Sequence, residues 1–398
     1  MPDDQKQPQQ GDTVRLTIEE MGFMGEAQAS LDDTPVFVAN AIPGEEVVAR
    51  VLRRRRHHVA AEAIGILKPS PHRVTAPCPY YGPCSGCQWQ HIAYERQLEM
   101  KRTLVVEQLR RFGNFEDAPV RPTIPGEPWG YRNHARFTIS PAGRGALGFV
   151  HKETRRWVRI DRCMLMHESI NLALAQLQDR CAETTQLSIR SGVTTGSLLI
   201  QPTLKESSIP LPSGQMHYED EILGRRFRVA SSSFFQVNIA QAERMVRLIE
   251  ERLGLTGREY VVDAYAGVGT FAILLAGKAR KVVAVEESPS AVKDAKANAR
   301  GIRNIEFVEA KTEAALSKLT ERPDAVIMDP PRVGCHPQAL AALIALAPPK
   351  VVYVSCDPSA LGRDLRVLCD GGYRLTEVQP IDLFPQTYHV ECVATLER

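Results

Sequence analysis

The sequence contains no apolar run of the length that a membrane span needs, even though 43% of its 398 residues are hydrophobic. No membrane association is expected. It also carries little net charge, +2, so any affinity for nucleic acid must come from local patches. Cysteine is too sparse for a disulfide scaffold: there are nine, and an odd number leaves one unpaired in any full pairing. A reducing compartment fits that usage. The opening stretch, MPDDQKQPQQGD, has neither the basic start nor the apolar segment of a secretory signal, so a cytoplasmic location is expected. What the chain does have is length, enough for two or three domains with cores of their own.

Residues 12–68 read as short strands (DTVRLTIEEM, TPVFVANA, EEVVARVLRRRR, AAEAIGILKP) broken by glycine and IPGE turns, the rhythm of a small β-barrel. The basic cluster RRRRHH, residues 53–58, is either a face for RNA or a solvated edge that discourages aggregation. The proline-rich KPSPHRVTAPCPYYGPCSGC then marks a boundary and brings three cysteines. The spacing of Leu98, Val105, Leu109 and Phe112 predicts a helix over about 92–112, and short strands from Tyr131 to about Pro202 suggest an antiparallel layer. From about residue 225, helices alternate with continuous apolar strands, which implies α/β architecture with a parallel, doubly wound, Rossmann-like sheet. YRLTEVQPIDLF and HVECVATLER have no helix between them, so the last strand is expected to be antiparallel. Three units follow: 1–68, 69–224 and 225–398.

VVDAYAGVGTF reads as a strand, an acid, a glycine turn and a helix start. Gly267 and Gly269 let the backbone approach a ligand at the carboxyl edge of the sheet. Residues 267–272, GVGTFA, also satisfy a dinucleotide fingerprint, with Glu286 at about the distance for a ribose hydroxyl. The glycines therefore leave NAD and S-adenosylmethionine both open. VIMDPPR favours the second, because it sets Asp329 and two prolines at the mouth of the same pocket, a rigid turn familiar in methyltransferases of this sheet type.

Cys356, in KVVYVSCDPS, ends the fifth parallel strand at that edge. Its local pattern alone suits a small core filler as well as a nucleophile, whereas Cys181, Cys335, Cys369 and Cys392 read as core. A thiolate beside a methyl donor has a use. Addition at C6 of a uracil makes C5 nucleophilic toward the methyl group, after which a base must remove the C5 proton. Glu391, in HVECVA, is the candidate base.

With these motifs the chain resembles the RNA (uracil-5-)-methyltransferases over almost its whole length: a TRAM-type barrel at 12–68, the cysteine cluster, SSSFFQVN, DAYAGVGTF, DPPR, VSCDP and HVECVATLER. The resemblance implies that Gln236, Tyr265, Glu286 and Asp329 contact S-adenosylmethionine, that Cys356 is the nucleophile and that Glu391 removes the C5 proton. Position 270 departs from it, with threonine where some members carry asparagine. Cys78, Cys84 and Cys87 form C-x5-C-x2-C, and the resemblance adds a distant fourth, Cys163. Spacing leaves zinc and iron-sulfur open. The resemblance chooses a [4Fe-4S] cluster, structural or RNA-orienting, since the methyl transfer needs no electron.

A uridine must leave its stack to reach Cys356, so a flipped base is expected, with Phe234, Phe235 and Tyr388 as stacking candidates or ordinary core residues. The arginine cluster and HKETRRWVR, residues 151–159, would hold phosphates. A barrel with a cluster resembles the members acting on 23S ribosomal RNA, while members of the same layout act on the T-loop of tRNA. A monomer is expected. The rivals are a non-catalytic RNA-binding or assembly factor, an NAD-dependent oxidoreductase, and a methyltransferase of amino nitrogens that needs Asp329 but not Cys356.

Overall fold

In the strand Glu46–Arg54, Val47, Ala49 and Val51 turn inward between outward-facing Glu46, Val48 and Arg50, so one face is dry and the other wet. The computed structural model, which describes residues 8–22 and 24–398, places this strand in a six-stranded, barrel-like sheet. The order is Thr13–Thr17, Glu46–Arg54, Val59–Lys68, Thr34–Ala39, Ala27–Leu31, Glu20–Met21, around a core that includes Leu16, Val36, Val38 and Ala61. The first seven residues of the sequence lie outside the description. One strand escaped the sequence reading. Ala27–Leu31, AQASL, has little of the β-branched content that marks a strand, and is instead pinned by a two-residue turn, Asp32 and Asp33, with φ of +47° and +59°.

The expected antiparallel layer is a five-stranded sheet in the order Leu198–Gln201, Gln186–Ser191, His134–Ile139, Leu147–Val150, Trp157–Arg159. Helix Glu168–Leu177 covers one face of it, packing Ile170, Leu174 and Leu177 on Phe137, Leu187 and Ile189. That helix sat inside a segment read as strands, although Ile170, Ala173, Leu174 and Leu177 have helical spacing. A hairpin, His217–Ile222 and Arg225–Ala230, leads on to the next layer.

The helix expected over 92–112 spans Tyr94–Gly113, but its buried face is not the expected one. Val105 and Leu109 are buried, whereas Phe112 is 46% exposed and Leu98 is only half-buried. The face includes polar Gln97, Lys101 and Gln108, which an apolar-period reading discards. The helix packs on helix Pro358–Asp370 at two glycines: a Cβ on Gly113 would lie 2.6 Å from the Gly362 carbonyl oxygen.

The largest sheet has seven strands, ordered Ile305–Glu309, Lys281–Glu286, Tyr260–Ala264, Ala325–Met328, Lys350–Ser355, Glu391–Glu397, Arg374–Ile381. The first five are parallel, and Glu391–Glu397 runs antiparallel to both of its neighbours. Continuous burial of VVDA, VVAV, AVIM and VVYVS reflects helices on both faces. The order reverses between Tyr260–Ala264 and Ala325–Met328, and ligands of such sheets bind outside the carboxyl ends at that point. Among the described residues no helix is long and apolar enough to cross a membrane.

Candidate active site

At the switch point the chain leaves Ala264 through Tyr265 at φ +65° and Gly267 at φ +55° before helix Thr270–Leu275 begins after Gly269 at φ +85°. The two glycines do different things. A Cβ on Gly267 would meet nothing within 4 Å, whereas one on Gly269 would lie 2.9 Å from Ile273 Cδ1 and 3.3 Å from Ala295 Cβ. Gly267 thus borders open space, and Gly269 makes room for packing. Asp263 Oδ2 accepts the Ala272 N–H at 2.8 Å and ties the helix start to the strand. Glu286 closes the other side, accepting the N–H groups of Gly267 and Ser288, each at 2.8 Å.

A cavity of 1140 Å³ opens here, and its wall includes Gln236, Tyr265, Gly267, Glu286, Asp329, Cys356 and Glu391. Gly269 is not in that wall. Cys356 and Glu391 are brought together by strand pairing: Ser355 is opposite Cys392, so the next position along each strand sets Cys356 beside Glu391. This juxtaposition joins residues 35 positions apart in sequence by a purely tertiary register.

Burial dominates the electrostatics. It pushes the Cys356 thiol up to about 11, with Glu391 adding to the rise and Arg332 opposing it. Burial first, and then the charge of Asp329, holds the Glu391 carboxyl well above its usual range, again against Arg332. Asp329 is pushed up to about 7 by burial, and Asp263 to about 8 by burial and then by the charges of Asp329 and Glu286. Asp263 Oδ1 is buried without a hydrogen-bond partner. Asp329 and Glu391, both in the cavity wall, thus have carboxyls raised by burial, and a positively charged ligand beside them would oppose that rise. Arg332 had been given no role from sequence, yet it is the cation that bears on both Cys356 and Glu391. Its place directly after the two prolines was the available signal.

The aromatic candidates separate. Phe234 stands 68% exposed in the cavity wall. Phe235 also lines the cavity but is buried, packed against Phe227 with ring centroids 5.7 Å apart. Tyr388 is not in the wall; it packs on the barrel at Gly25, where a Cβ would lie 2.6 Å from Tyr388 Cδ1. Of the remaining cysteines, Cys181 and Cys392 are buried core. Cys335 is buried yet forms part of the cavity wall, and Cys369 is half-buried at the end of its helix.

Cys78, Cys84, Cys87 and Cys163 all line a second cavity, of 520 Å³, with Arg132, Arg136 and Arg162. Burial and the other thiols push Cys84 up to about 11. Among the described residues no group of three or more His, Cys, Asp or Glu is arranged so that it could hold a metal ion. Phe384 borders both cavities. The two basic stretches also adjoin, through Arg55 and Glu153 at 3.3 Å.

A doubly wound sheet with a glycine turn and acids at its switch point has the architecture of a methyltransferase. A family model described as tRNA (uracil-5-)-methyltransferase matches residues 215–398, and a TRAM domain model matches residues 7–64. An uncharacterized RNA methyltransferase of Gloeobacter violaceus is 38% identical, with 98% of this chain and 97% of that protein aligned. One of Halalkalibacterium halodurans is 33% identical over 97% of each. The structure is similar to that of a tRNA (uracil-54, C5)-methyltransferase of Pyrococcus abyssi in complex with S-adenosyl-L-homocysteine, at 25% identity and a TM-score of 0.75, covering 96% of this chain and 100% of the other. The chain belongs to the RNA (uracil-5-)-methyltransferase family and carries an N-terminal TRAM domain.

Proposed function

We propose that the protein methylates C5 of a uridine in a structured RNA, with S-adenosylmethionine as donor and a covalent link between Cys356 and C6 of the base. The observation that carries this reading is the single cavity in which Cys356 and Glu391 meet Gln236, Tyr265, Gly267, Glu286 and Asp329. Bound donor supplies a methyl group on a cationic sulfonium. The residues fit it: Gly267 borders open space, Glu286 is fixed by two N–H groups at the turn, and the buried acids favour a positive neighbour. Gly269 serves by shaping the turn.

The Cys356 thiolate adds to C6, C5 takes the methyl group, and Glu391 then removes the C5 proton as the C6–S bond breaks. Arg332 opposes burial at both residues, favouring thiolate for the attack and carboxylate for the abstraction. Phe234 at the cavity mouth offers a face for a flipped base or its neighbour.

We further propose that Cys78, Cys84, Cys87 and Cys163 hold a [4Fe-4S] cluster. The support is that the four thiols wall one cavity and that four thiolates are the usual ligand set of such a cluster. The barrel and residues 151–159 would grip the RNA. We take 23S ribosomal RNA as the target, on the combination of barrel and cysteine set. The second reading is tRNA, favoured by the whole-chain similarity to the Pyrococcus abyssi enzyme. Mapping 5-methyluridine in ribosomal and transfer RNA of a deletion strain separates the two. The chemistry is tested with RNA carrying 5-fluorouridine: a trapped protein-RNA adduct is expected, and retained turnover in Cys356→Ala would overturn the covalent route.

A further inference from the structure

Between the last two strands run nine residues, Asp382–Val390, and because Ile381 pairs with Glu391, this connection ends at the proposed base. The connection contains no helix or strand, yet it is mostly buried. A buried loop must find partners for its polar backbone groups. Helix Tyr94–Gly113 serves two of them, the Phe384 carbonyl and the Gln386 N–H, and also binds the Asp382 and Gln386 side chains. Lys101 Nζ donates to Asp382 Oδ1 at 2.5 Å and to the Phe384 carbonyl at 3.1 Å, and the Tyr94 hydroxyl donates to Asp382 Oδ2 at 2.9 Å. Gln97 and Gln386 bond twice: Gln97 Nε2 donates to Gln386 Oε1 at 3.0 Å, and the Gln386 N–H donates to Gln97 Oε1 at 3.1 Å.

Other parts of the chain complete the clamp. Tyr131, Asn238 and Gln241 donate to the carbonyls of Pro385, Leu383 and Asp382. The N–H groups of Gln88 and Trp89, directly after Cys87, both reach the Gln386 carbonyl. Gln386 itself sits at φ +69°, a conformation that persists when its surroundings over-determine it. Lys101 and Asp382 are both fully buried, so their pair is unlike the exposed ion pairs that contribute little. Gln97, Lys101 and Asp382 are all absent from the wall of the active cavity.

We propose that Gln97, Lys101 and Asp382 are positioning residues for proton abstraction: they hold the connection, and through it set where the Glu391 carboxylate stands over the adduct. This rests on the reading of Glu391 as the base. In that step the carboxylate takes the C5 proton. The C5–H electron pair becomes the C5=C6 double bond, and the C6–S pair leaves with the Cys356 sulfur as thiolate. Thiolate addition and methyl transfer come earlier and need no base at C5, so a displaced Glu391 slows release and spares formation of the adduct. A role in stability alone would not divide the steps in this way.

Lys101→Met alone strands the Asp382 charge in the interior and threatens the fold. The variants are therefore Gln97→Met, and Lys101→Met combined with Asp382→Asn, in the full chain with its metal content unchanged. Each is mixed with S-adenosylmethionine and unmodified 23S ribosomal RNA and tRNA transcripts, and adduct and free product are followed by rapid quench. Adduct formation is expected within about threefold of the parent and release slowed about tenfold or more, so that adduct accumulates on ordinary uridine RNA. Glu391→Gln should do the same more strongly, and adding Gln97→Met to it should slow release no further. Formation and release slowed equally, release unchanged, or failure of both variants to fold would each overturn the positioning role. If Glu391→Gln itself releases product at the parent rate, it is the base assignment that fails, a different signature.

Discussion

In the larger cavity Cys356 faces a carboxylate, Glu391, and a guanidinium, Arg332, whereas in the smaller one Cys78, Cys84, Cys87 and Cys163 face one another. The surroundings differ as much as the side chains. Cys356 directly follows the strand Lys350–Ser355, and Glu391 begins its antiparallel neighbour, so sheet hydrogen bonds set their separation. The four cysteines come from loops, around residues 78–87 and at residue 163. Thiols that raise one another's pKa without a base suit a ligand set, while a single thiol between an acid and a cation suits chemistry. The cavities are nevertheless neighbours, since Phe384 borders both and Gln88 and Trp89 hold the loop that ends at Glu391.

The comparison breaks most sharply at Cys356. Cys356→Ala is expected to abolish methylation by a factor of about 10³ or more and to leave no adduct with 5-fluorouridine RNA, while iron content stays at the parent level. Glu391→Gln comes next, with turnover lower by about 10²–10⁴ and adduct accumulating on a denaturing gel. On the other side, protein purified without air should be brown and carry about four irons per chain, and Cys84→Ser or Cys163→Ser should lose that iron and its visible absorption. One zinc and no iron in elemental analysis would sink the cluster. Serine at these positions should leave Cys356 able to form the adduct, with a smaller loss of turnover than Cys356→Ala.

Subtler changes sharpen the same contrast. Gly267→Ala places a side chain at φ +55°, which costs roughly 1–2 kcal/mol for an L-residue, and points its methyl into the space assigned to the donor. Weaker S-adenosylmethionine binding, by about tenfold in calorimetry, is expected together with a lower Tm. The smallest effect concerns pH. Because the Cys356 thiol is pushed up to about 11, its alkylation by iodoacetamide in ligand-free protein should keep rising well above the pH at which an ordinary thiol levels off. Removing the carboxylate with Glu391→Gln should speed alkylation at pH 8, and Arg332→Gln should slow it. Opposite signs would mean that Glu391 and Arg332 do not act on this sulfur.

Several parts of the structure were legible because they rest on local pattern. VVDAYAGVGTF announces its strand, turn and helix through burial and glycine conformation, and the alternation after residue 225 announces the parallel sheet. AQASL was missed because its pairing is dictated by the Asp32–Asp33 turn rather than by its own residues. The face of helix Tyr94–Gly113 was misjudged because Lys101, Gln97 and Gln108 are buried only where partners elsewhere accept their polar ends. No periodicity of apolar residues reports that. Arg332 was quoted within DPPR, but its influence on Cys356 depends on where the turn after Met328 points.

By itself the sequence determined the kinds of element, the glycine turn and the chemical inventory of thiols and acids, because propensity, burial period and backbone freedom act over a few residues. Tertiary structure alone decided which of these meet. Ser355 opposite Cys392 brings the proposed nucleophile and the proposed base to one edge, and Lys101 against Asp382 holds the loop beside them. Those pairs join positions that are 37 and 281 apart in the chain. Strand register and the burial of a charge with its partner are properties of the packed whole, and no short stretch of sequence contains both members.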